Sequence, residues 1–401
     1  MKATISRPAL ACVMGGMDLV RPLGLAGIGC AVVAPPGGPP LYSRFTKASI
    51  CWGDPQDGLE GLLDALLTFG ASQPERPVLY YIEDDELLFV SRHREKLAKV
   101  FRFVIADPLL VEDLVDKARF QVLAELLRLP VPRTRRLEPR SGSAAPDLGL
   151  RFPIVIKPVT RRKSWEAIGG SRKALPVEGR AALEELWPRL RAADIELLAQ
   201  ELVPGPETRI ESYHVYVDAD GAIAGEFTGR KIRTYPASFG HSTALVITNE
   251  PDVMAAGREL VRALKLRGVA KADFKRGPGG ELFLLEINPR FSLWHHPGAV
   301  AGINIPALVY ADMLGLPRPV ASPVRPGVRW SLVWRDLPAA RAAGMPFGKW
   351  LWWTLGCEAK SAIAWDDPMP LLRGEVAKLS RVRARGEGEP LHQPVKGGGR
   401  T

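Results

Sequence analysis

Residues 269–291, VAKADFKRGPGGELFLLEINPRF, are the most informative segment of the chain. The glycines and proline of RGPGG separate two runs, VAKADF and LFLLEIN, in which polar residues stand among apolar ones. This pattern predicts a β-hairpin that turns near Pro278–Gly279. In such a hairpin one sheet face would carry five side chains, those of Lys271, Asp273, Leu284, Glu286 and Asn288.

The polar composition of this face predicts a metal site. A purely structural hairpin would present apolar side chains inward, and burying unpaired carboxylates is costly. Carboxylate and carboxamide oxygens are ligands that suit Mg²⁺ bound to phosphates. We therefore interpret Asp273, Glu286 and Asn288 as ligands of a hard divalent cation. The alternative, a solvated strand face with surface ion pairs, leaves the apolar run LFLLEIN unexplained.

Upstream of the hairpin, the first 110 residues alternate between strand and helix signals. The predicted strands are Ala9–Met14, Cys30–Ala34, Pro77–Ile82 and Phe103–Ala106. Such alternation predicts a parallel sheet with helices on its faces. The glycines after the first strand do not form a GxGxxG motif, so they give only weak support to a dinucleotide-dependent oxidoreductase.

Between these two regions the pattern becomes mixed. Apolar periodicity predicts one helix over Leu114–Leu129, with an apolar face made of Leu114, Ala118, Val122, Leu126 and Leu129. The polar loop at 139–150 marks a subdomain boundary. Strands, helices and hairpins then alternate from 152 to 287, which indicates an α+β region distinct from the N-terminal sheet.

Length and composition exclude several classes of protein. The 401 residues exceed one ordinary core and predict two or three domains. The net charge of +10 fits anionic ligands, but no lysine-rich arm indicates nucleic acid. No apolar run approaches the roughly 20 residues of a membrane span. The four cysteines are scattered, as expected for reduced thiols in a cytoplasmic protein.

The C-terminal part is unusually rich in tryptophan. After a proline-rich linker at 318–328, the segment to residue 384 holds six of the ten tryptophans. They are Trp330, Trp334, Trp350, Trp352, Trp353 and Trp365. We interpret this segment as a cap or lid whose aromatic side chains pack inward, with an interfacial membrane patch as the alternative. The Gly- and Pro-rich tail, 385–401, is expected to be disordered.

In the order of these motifs, from about residue 9 to 315, the chain resembles the ATP-grasp superfamily. The resemblance is to its carboxylate–amine ligase and carbamoyl-phosphate-synthase-like branches. It implies an N-terminal Rossmann-like pre-ATP-grasp domain at 1–112 and a two-lobed ATP-grasp domain at 113–317. The lobes would divide near residue 202, and a small Trp-rich C-terminal region would follow at 318–384.

The resemblance also assigns roles to residues. Two Mg²⁺ ions, with Mn²⁺ as an alternative, would sit on the triphosphate, held by Asp273, Glu286 and Asn288. Arg290 resembles the arginine that stabilises the acyl-phosphate and its tetrahedral successor, and Lys231 and Arg233 would lie near the γ-phosphate or acceptor carboxylate. The implied ATP contacts are Lys117, Lys157, Gln200, Glu201, Leu202, Val203, Glu207 and Lys271. His241 and Ser242 would line the substrate site.

Two features depart from the family pattern. The loop that should cover the phosphates, residues 160–173, is basic and bulky rather than mainly glycine. Its contacts with phosphate could come from the backbone at Gly169–Ser171 or from Arg161, Arg162 or Lys163. In addition, Asp273 stands where many members have Glu.

The implied activity is an ATP-dependent ligase that joins a small-molecule carboxylate to an amine through an acyl-phosphate. One alternative uses bicarbonate as the carboxylate, as carbamoyl-phosphate-synthase-like enzymes and carboxylases do. A second is a nucleotide-binding sensor that performs no turnover. The sequence leaves both substrates and the oligomeric state open, with a homodimer as one option.

Overall fold

The computed structural model describes residues 8–52, 58–139, 144–159, 163–169, 172–320, 322–361 and 363–375. The predicted tail at 385–401 and residues 160–162 and 170–171 of the predicted phosphate loop lie outside these ranges. The strands are β1 Ala11–Met14, β2 Cys30–Ala34, β3 Thr46–Cys51, β4 Val78–Tyr81, β5 Thr134–Leu137, β6 Ile154–Pro158, β7 Leu175–Val177, β8 Leu197–Glu201, β9 Ile210–Val217, β10 Ile223–Tyr235, β11 His241–Thr248, β12 Gly268–Arg276, β13 Leu282–Asn288, β14 Arg329–Ser331 and β15 Ala359–Lys360.

The helices are α1 Met17–Leu25, α2 Gly58–Ser72, α3 Asp84–Arg92, α4 Arg94–Leu97, α5 Pro108–Val115, α6 Lys117–Leu126, α7 Lys163–Gly169, α8 Arg180–Ala193, α9 Pro251–Ala263, α10 His295–Val300, α11 Ile305–Leu314, α12 Val333–Ala342 and α13 Phe347–Leu355. No helix within the described ranges is both long and apolar enough to cross a bilayer.

The N-terminal sheet is parallel, in the order β3-β2-β1-β4. Its central strands are buried along their whole length, as expected for a parallel sheet covered on both faces. The prediction missed β3, because only Ile50 in that strand is buried and its apolar signal is weak. The predicted strand Phe103–Ala106 is not a strand. Among the described residues, an isolated β-bridge between Val78 and Arg102 is the only β-pairing next to it.

A four-stranded antiparallel sheet follows, in the order β5-β8-β6-β7. Strand β6 ends with Lys157 and Pro158, and β8 ends with Gln200 and Glu201, so the predicted lysine and the predicted hinge come from adjacent strands. Trp165, Leu183 and Trp187 pack on this sheet in a core of its own.

The third sheet has seven strands in the order β13-β12-β9-β10-β11-β14-β15. The predicted hairpin is β12 and β13, in which Asp273 lies opposite Glu286 and Lys271 opposite Asn288. A β-bulge follows Asp273, so Phe274 pairs with Leu284. The prediction that Leu284 shares the polar face is wrong, because the bulge turns its side chain into the core with Phe274 and Ile287.

The helix predicted over Leu114–Leu129 is two helices, α5 and α6. Asp116 ends the first and caps the second, its carboxylate accepting from the backbone N–H groups of Ala118 and Arg119. The predicted apolar face is also wrong in part, since Val122 and Leu126 are 67% and 77% exposed. Phe120 and Ala124 are the buried residues of α6.

The Trp-rich segment is tied to the seven-stranded sheet through β14, which pairs with β11, and β15, which pairs with β14. Trp330 and Trp350 are buried, in agreement with inward packing. Inward packing is wrong for Trp334, Trp352 and Trp365, which are exposed.

Candidate functional site

A cleft lies between the four-stranded and seven-stranded sheets and gathers eleven of the fourteen predicted site residues. They are Lys117, Lys157, Gln200, Glu201, Leu202, Val203, Glu207, Lys231, Asp273, Glu286 and Asn288. These residues come from α6, from β6 and β8 with the turn after it, and from β10, β12 and β13. Segments that lie far apart in the sequence therefore meet at one site.

At the floor of the cleft, Asp273 is surrounded by donors. Its Oδ1 accepts a hydrogen bond of 2.5 Å from the Ser212 hydroxyl on the neighbouring strand β9. Its Oδ2 lies 2.7 Å from Nζ of Lys271 and 3.2 Å from Nζ of Lys231. The carboxylate is almost fully buried, and its charge is met by two cations.

This arrangement controls the ionisation of the group. Burial alone would raise the pKa of Asp273, but the ammonium groups of Lys231 and Lys271 hold that pKa well below its usual range. Burial alone would lower the pKa of Lys231, but Asp273 and then Glu286 raise it above the ordinary lysine value. Asp273 and Lys231 are therefore a charged pair throughout the physiological pH range.

Glu286 and Asn288 differ from Asp273 in their exposure. The Glu286 side chain is 57% exposed and accepts a long hydrogen bond of 3.3 Å from the Asn288 amide. Arg290 follows them and donates from Nε to Asp84 at 2.6 Å and from Nη1 to the carbonyl of Ile82. These contacts fix Arg290 against the start of α3, and Asp84 itself lines the cleft.

The predicted metal ligands fit a divalent cation in part. Glu286 and Asn288 both line the cleft, and their side chains offer oxygen atoms of the kind that Mg²⁺ prefers. Both oxygens of Asp273 already accept bonds from Ser212 and the two lysines. Over the described part of the chain, no three His, Cys, Asp or Glu side chains are grouped closely enough to hold a metal. Any ion here would therefore rely on Glu286 and Asn288, together with oxygens from outside the chain.

On the opposite side of the cleft, Lys157 has no hydrogen-bond or ion-pair partner among the described residues. Burial lowers its pKa to about 8, with Glu286 opposing the shift and Lys117 adding to it. Lys117 donates to the carbonyls of Pro158 and Val159, which places its ammonium at the end of the same strand. Two cations thus converge at the end of β6 and favour an anionic ligand.

The predicted hinge after β8 is held by side-chain bonds. Gln200 donates to the Thr134 hydroxyl, and the Glu201 carboxylate accepts from the backbone and guanidinium of Arg151. The backbone N–H of Leu202 donates to the Pro153 carbonyl. The backbone N–H of Val203 has no hydrogen-bond acceptor within the described ranges. Because Val203 lines the cleft, this N–H could donate to the edge of a flat base.

Some lining residues were missed by the prediction. Lys275 lies 3.6 Å from Glu207 across the cleft, and burial lowers its pKa more than Glu207 raises it. Its signal was present, because Lys271, Asp273 and Lys275 alternate along β12 on one face. Ser212, which does not line the cleft but bonds to Asp273, gave no such signal, since it reaches Asp273 only through the pairing of β9 with β12.

Three predicted residues do not line the cleft. Lys271 stands behind Asp273, and Arg290 is turned to Asp84, so both stay next to the site. Arg233 lies apart from it, because Asp336 of α12 holds its guanidinium through two bonds in a buried pair. His241 and Ser242 are also absent from the lining, although the neighbouring Phe239 and Gly240 contribute to it.

Comparison with known proteins finds a family model and several named relatives. Residues 196–334 match a family model described as "ATP-grasp in the biosynthetic pathway with Ter operon". A D-aspartate ligase of Enterococcus faecium is 23% identical over 285 residues, which is 68% of each chain. D-alanine--D-alanine ligase B of Chromobacterium violaceum is 28% identical over 214 residues, half of this chain and 65% of that one.

A solved structure of biotin carboxylase from Campylobacter jejuni superposes with a TM-score of 0.59 at 13% identity, over 80% of this chain and 74% of that one. At that identity the likeness concerns the fold alone. The matched relatives are named ligases, in line with the predicted enzyme class. Residues 196–334 are therefore similar to an ATP-grasp family, and the likeness in fold to a biotin carboxylase extends over 80% of the chain.

Proposed function

We propose that this protein is an ATP-dependent ligase that joins a carboxylate to an amine through an acyl-phosphate, releasing ADP and phosphate. The observation that carries the proposal is the cleft itself, where Lys117, Lys157 and Lys231 face Glu286 and Asn288. Cations and oxygen ligands so arranged suit a metal-bound triphosphate and little else.

The nucleotide end of the cleft is assigned to the hinge and the strand β6. The base would lie against Leu202 and Val203, with the Val203 N–H as one donor to its edge. Glu207 would accept from the ribose hydroxyls, in competition with its present contact to Lys275. Lys117 and Lys157 would bind the phosphates, and this direction of binding is supported by the ammonium of Lys157, which has no partner among the described residues.

The reacting end is assigned to β10 and the hairpin. Glu286 and Asn288 would hold Mg²⁺, which when bound neutralises charge on the phosphates. Asp273 keeps Lys231 charged and in place, so that a cation faces the γ-phosphate. A substrate carboxylate oxygen attacks the γ-phosphorus, and the bond to the ADP oxygen breaks. The amine nitrogen then attacks the acyl carbon, loses a proton and expels phosphate.

For the substrates, we propose that at least one is an amino acid. The support is the names of the matched relatives, which join D-aspartate or D-alanine. The ammonium group of Lys231, which lines the cleft at this end, fits a substrate carboxylate.

We further propose the division into a Rossmann-like domain at 1–112, ATP-grasp lobes meeting near 202, and a C-terminal region from 318. The parallel sheet and the separate core of the four-stranded sheet support it. A homodimer and a cytoplasmic location stay predictions from the sequence.

The test is release of ADP and phosphate from Mg-ATP, measured with amino acids and other carboxylates, each crossed with a panel of amines. We expect turnover that needs both a carboxylate and an amine, with the joined product seen by mass spectrometry. Turnover supported by bicarbonate alone would favour the carboxylase-like alternative. Tight binding of Mg-ATP without release of ADP across the panel would contradict a ligase and favour a sensor.

A further inference from the structure

Helix α13, Phe347–Leu355, is anchored to the protein by one face only. The Trp350 indole N–H donates to the buried carboxylate of Asp336 at 3.0 Å, and Thr354 is buried on the same side. Trp353 packs against Arg233, whose guanidinium carbon lies 4.0 Å from the centre of the indole ring. The inner face is therefore fixed, and the helix cannot rotate to bury its other side.

The outer face is apolar and uncovered. Phe347, Leu351, Trp352 and Leu355 are 56%, 39%, 79% and 56% exposed. At 3.6 residues per turn these four side chains occupy an arc of about 140°, and at its edge the Phe347 ring contacts Trp350 with the ring centroids 5.6 Å apart. We call them the outer stripe. An exposed fraction of 79% for a tryptophan means that it stands above its surroundings, so the stripe is a protrusion rather than a groove.

The exposed charges of α12 and α13, the helix that carries the outer stripe, have one sign. From Val333 to Cys357 the chain carries three cations, Arg335, Arg341 and Lys349, and all are exposed. None has an ion-pair partner among the described residues. The single acid in this segment, Asp336, is buried and bonded to Arg233. The next acid, Glu358, pairs with Arg329.

We propose that the outer stripe and these cations form a docking surface for an anionic lipid bilayer. Exposed tryptophan, phenylalanine and leucine insert at the boundary between headgroups and acyl chains, and lysine and arginine bind the acidic headgroups. A second copy of the chain fits less well, because symmetric pairing would bring like charges together. A protrusion is also poorly shaped to receive an acidic peptide, which binds in grooves.

The test is flotation of the full-length protein with vesicles of phosphatidylcholine, alone or mixed with phosphatidylglycerol. We expect binding to the mixed vesicles with a blue shift of tryptophan emission, and binding to pure phosphatidylcholine that is at least about tenfold weaker. Leu351→Ala with Trp352→Ala should reduce binding to the mixed vesicles at least about tenfold. Lys349→Glu with Arg341→Glu should do the same only where the lipid is anionic.

The matched control is Val122→Ala with Leu126→Ala, which removes two exposed apolar side chains from α6 and should leave vesicle binding unchanged. No binding to mixed vesicles, or equal loss in the control, would overturn the proposal. Light scattering that shows a dimer, lost on Leu351→Ala with Trp352→Ala, would overturn it in favour of a second copy. Thermal melting of each variant checks that the fold is retained.

Discussion

The two sides of the cleft carry partly buried lysines in opposite electrostatic situations. Lys231, on the seven-stranded sheet, faces Asp273, which raises its pKa above the ordinary value. Lys157, on the four-stranded sheet, has no partner within the described ranges, and burial lowers its pKa to about 8. The first side is complete without a ligand, whereas the second carries a charge that a bound anion would neutralise. The difference indicates which residues organise the site and which ones bind.

The seven-stranded side can be divided further by exposure. Asp273 is buried and satisfied by Ser212, Lys231 and Lys271, while Glu286 opposite it is more than half exposed. Removing the charge of Glu286 should therefore lower the turnover of ATP alone. Removing the charge of Asp273 should also lower the free energy of unfolding. Four predictions follow this division, in order of decreasing effect.

Glu286→Gln should lower the turnover of ATP at least about a hundredfold, because it removes the charged ligand open to a metal. Its exposure means that the free energy of unfolding should change by less than about 0.5 kcal/mol. Steady-state assays of ADP release at saturating ATP measure the turnover, and urea denaturation measures the free energy of unfolding. Retained turnover would remove Glu286 from the metal site.

Asp273→Asn should lower the free energy of unfolding by about 3 to 5 kcal/mol, because two buried ammonium groups lose their counter-ion. Urea denaturation followed by tryptophan fluorescence measures the loss. The control is Asp252→Asn, which breaks an exposed pair with Arg276 and should cost less than about 1 kcal/mol. Equal losses in the two variants would contradict the organising role of Asp273.

The sequence predicted much of this site because its signals are local. The Gly-Pro turn and the spacing of the polar residues on either side of it located the Asp273–Glu286 pairing, which the register of β12 and β13 confirms. The bulge after Asp273 has no comparable signal, and so Leu284 was placed on the wrong face. The break between α5 and α6 did have a signal in the sequence, because Asp116 is a good helix cap. The apolar pattern continues past Asp116 and therefore hid the break.

Other features depend on contacts between distant segments. Arg233 was assigned to the reaction because it lies two residues after Lys231 on one strand. A buried hydrogen bond to Asp336, 103 residues later in the chain, holds the Arg233 guanidinium away from the cleft instead. Ser212 reaches Asp273 only through the pairing of two strands 61 residues apart. Such partners follow from the topology of the sheet, and no periodicity in the sequence indicates them.

Lys157→Ala should weaken ATP binding by about ten- to a hundredfold, the value of one charge-assisted hydrogen bond to phosphate. Isothermal titration with ATP and Mg²⁺ measures the affinity. Lys99→Ala, which removes an exposed lysine of the N-terminal domain, is the matched control and should leave the affinity unchanged. An equal affinity in the Lys157 variant would assign the phosphates to Lys117 and the loop alone.

The pH dependence of ATP affinity separates the two lysines without changing the fold. A phosphate stabilises the charged form of Lys157, so binding raises its pKa from about 8 and takes up a proton near that pH. Affinity should be highest below pH 8 and should fall about tenfold between pH 7 and pH 9, as the free lysine loses its charge. Lys231 contributes nothing in this window, because Asp273 keeps it charged.

Titrations at each pH in two buffers of different ionisation enthalpy measure both the affinity and the proton uptake. The decline above pH 8 should disappear in Lys157→Ala, which has no group left to titrate there, and should persist in Lys99→Ala. A decline that survives in Lys157→Ala would move the titrating group elsewhere in the cleft. Lys275 is then the next candidate, because burial lowers its pKa too and it faces the same nucleotide end beside Glu207.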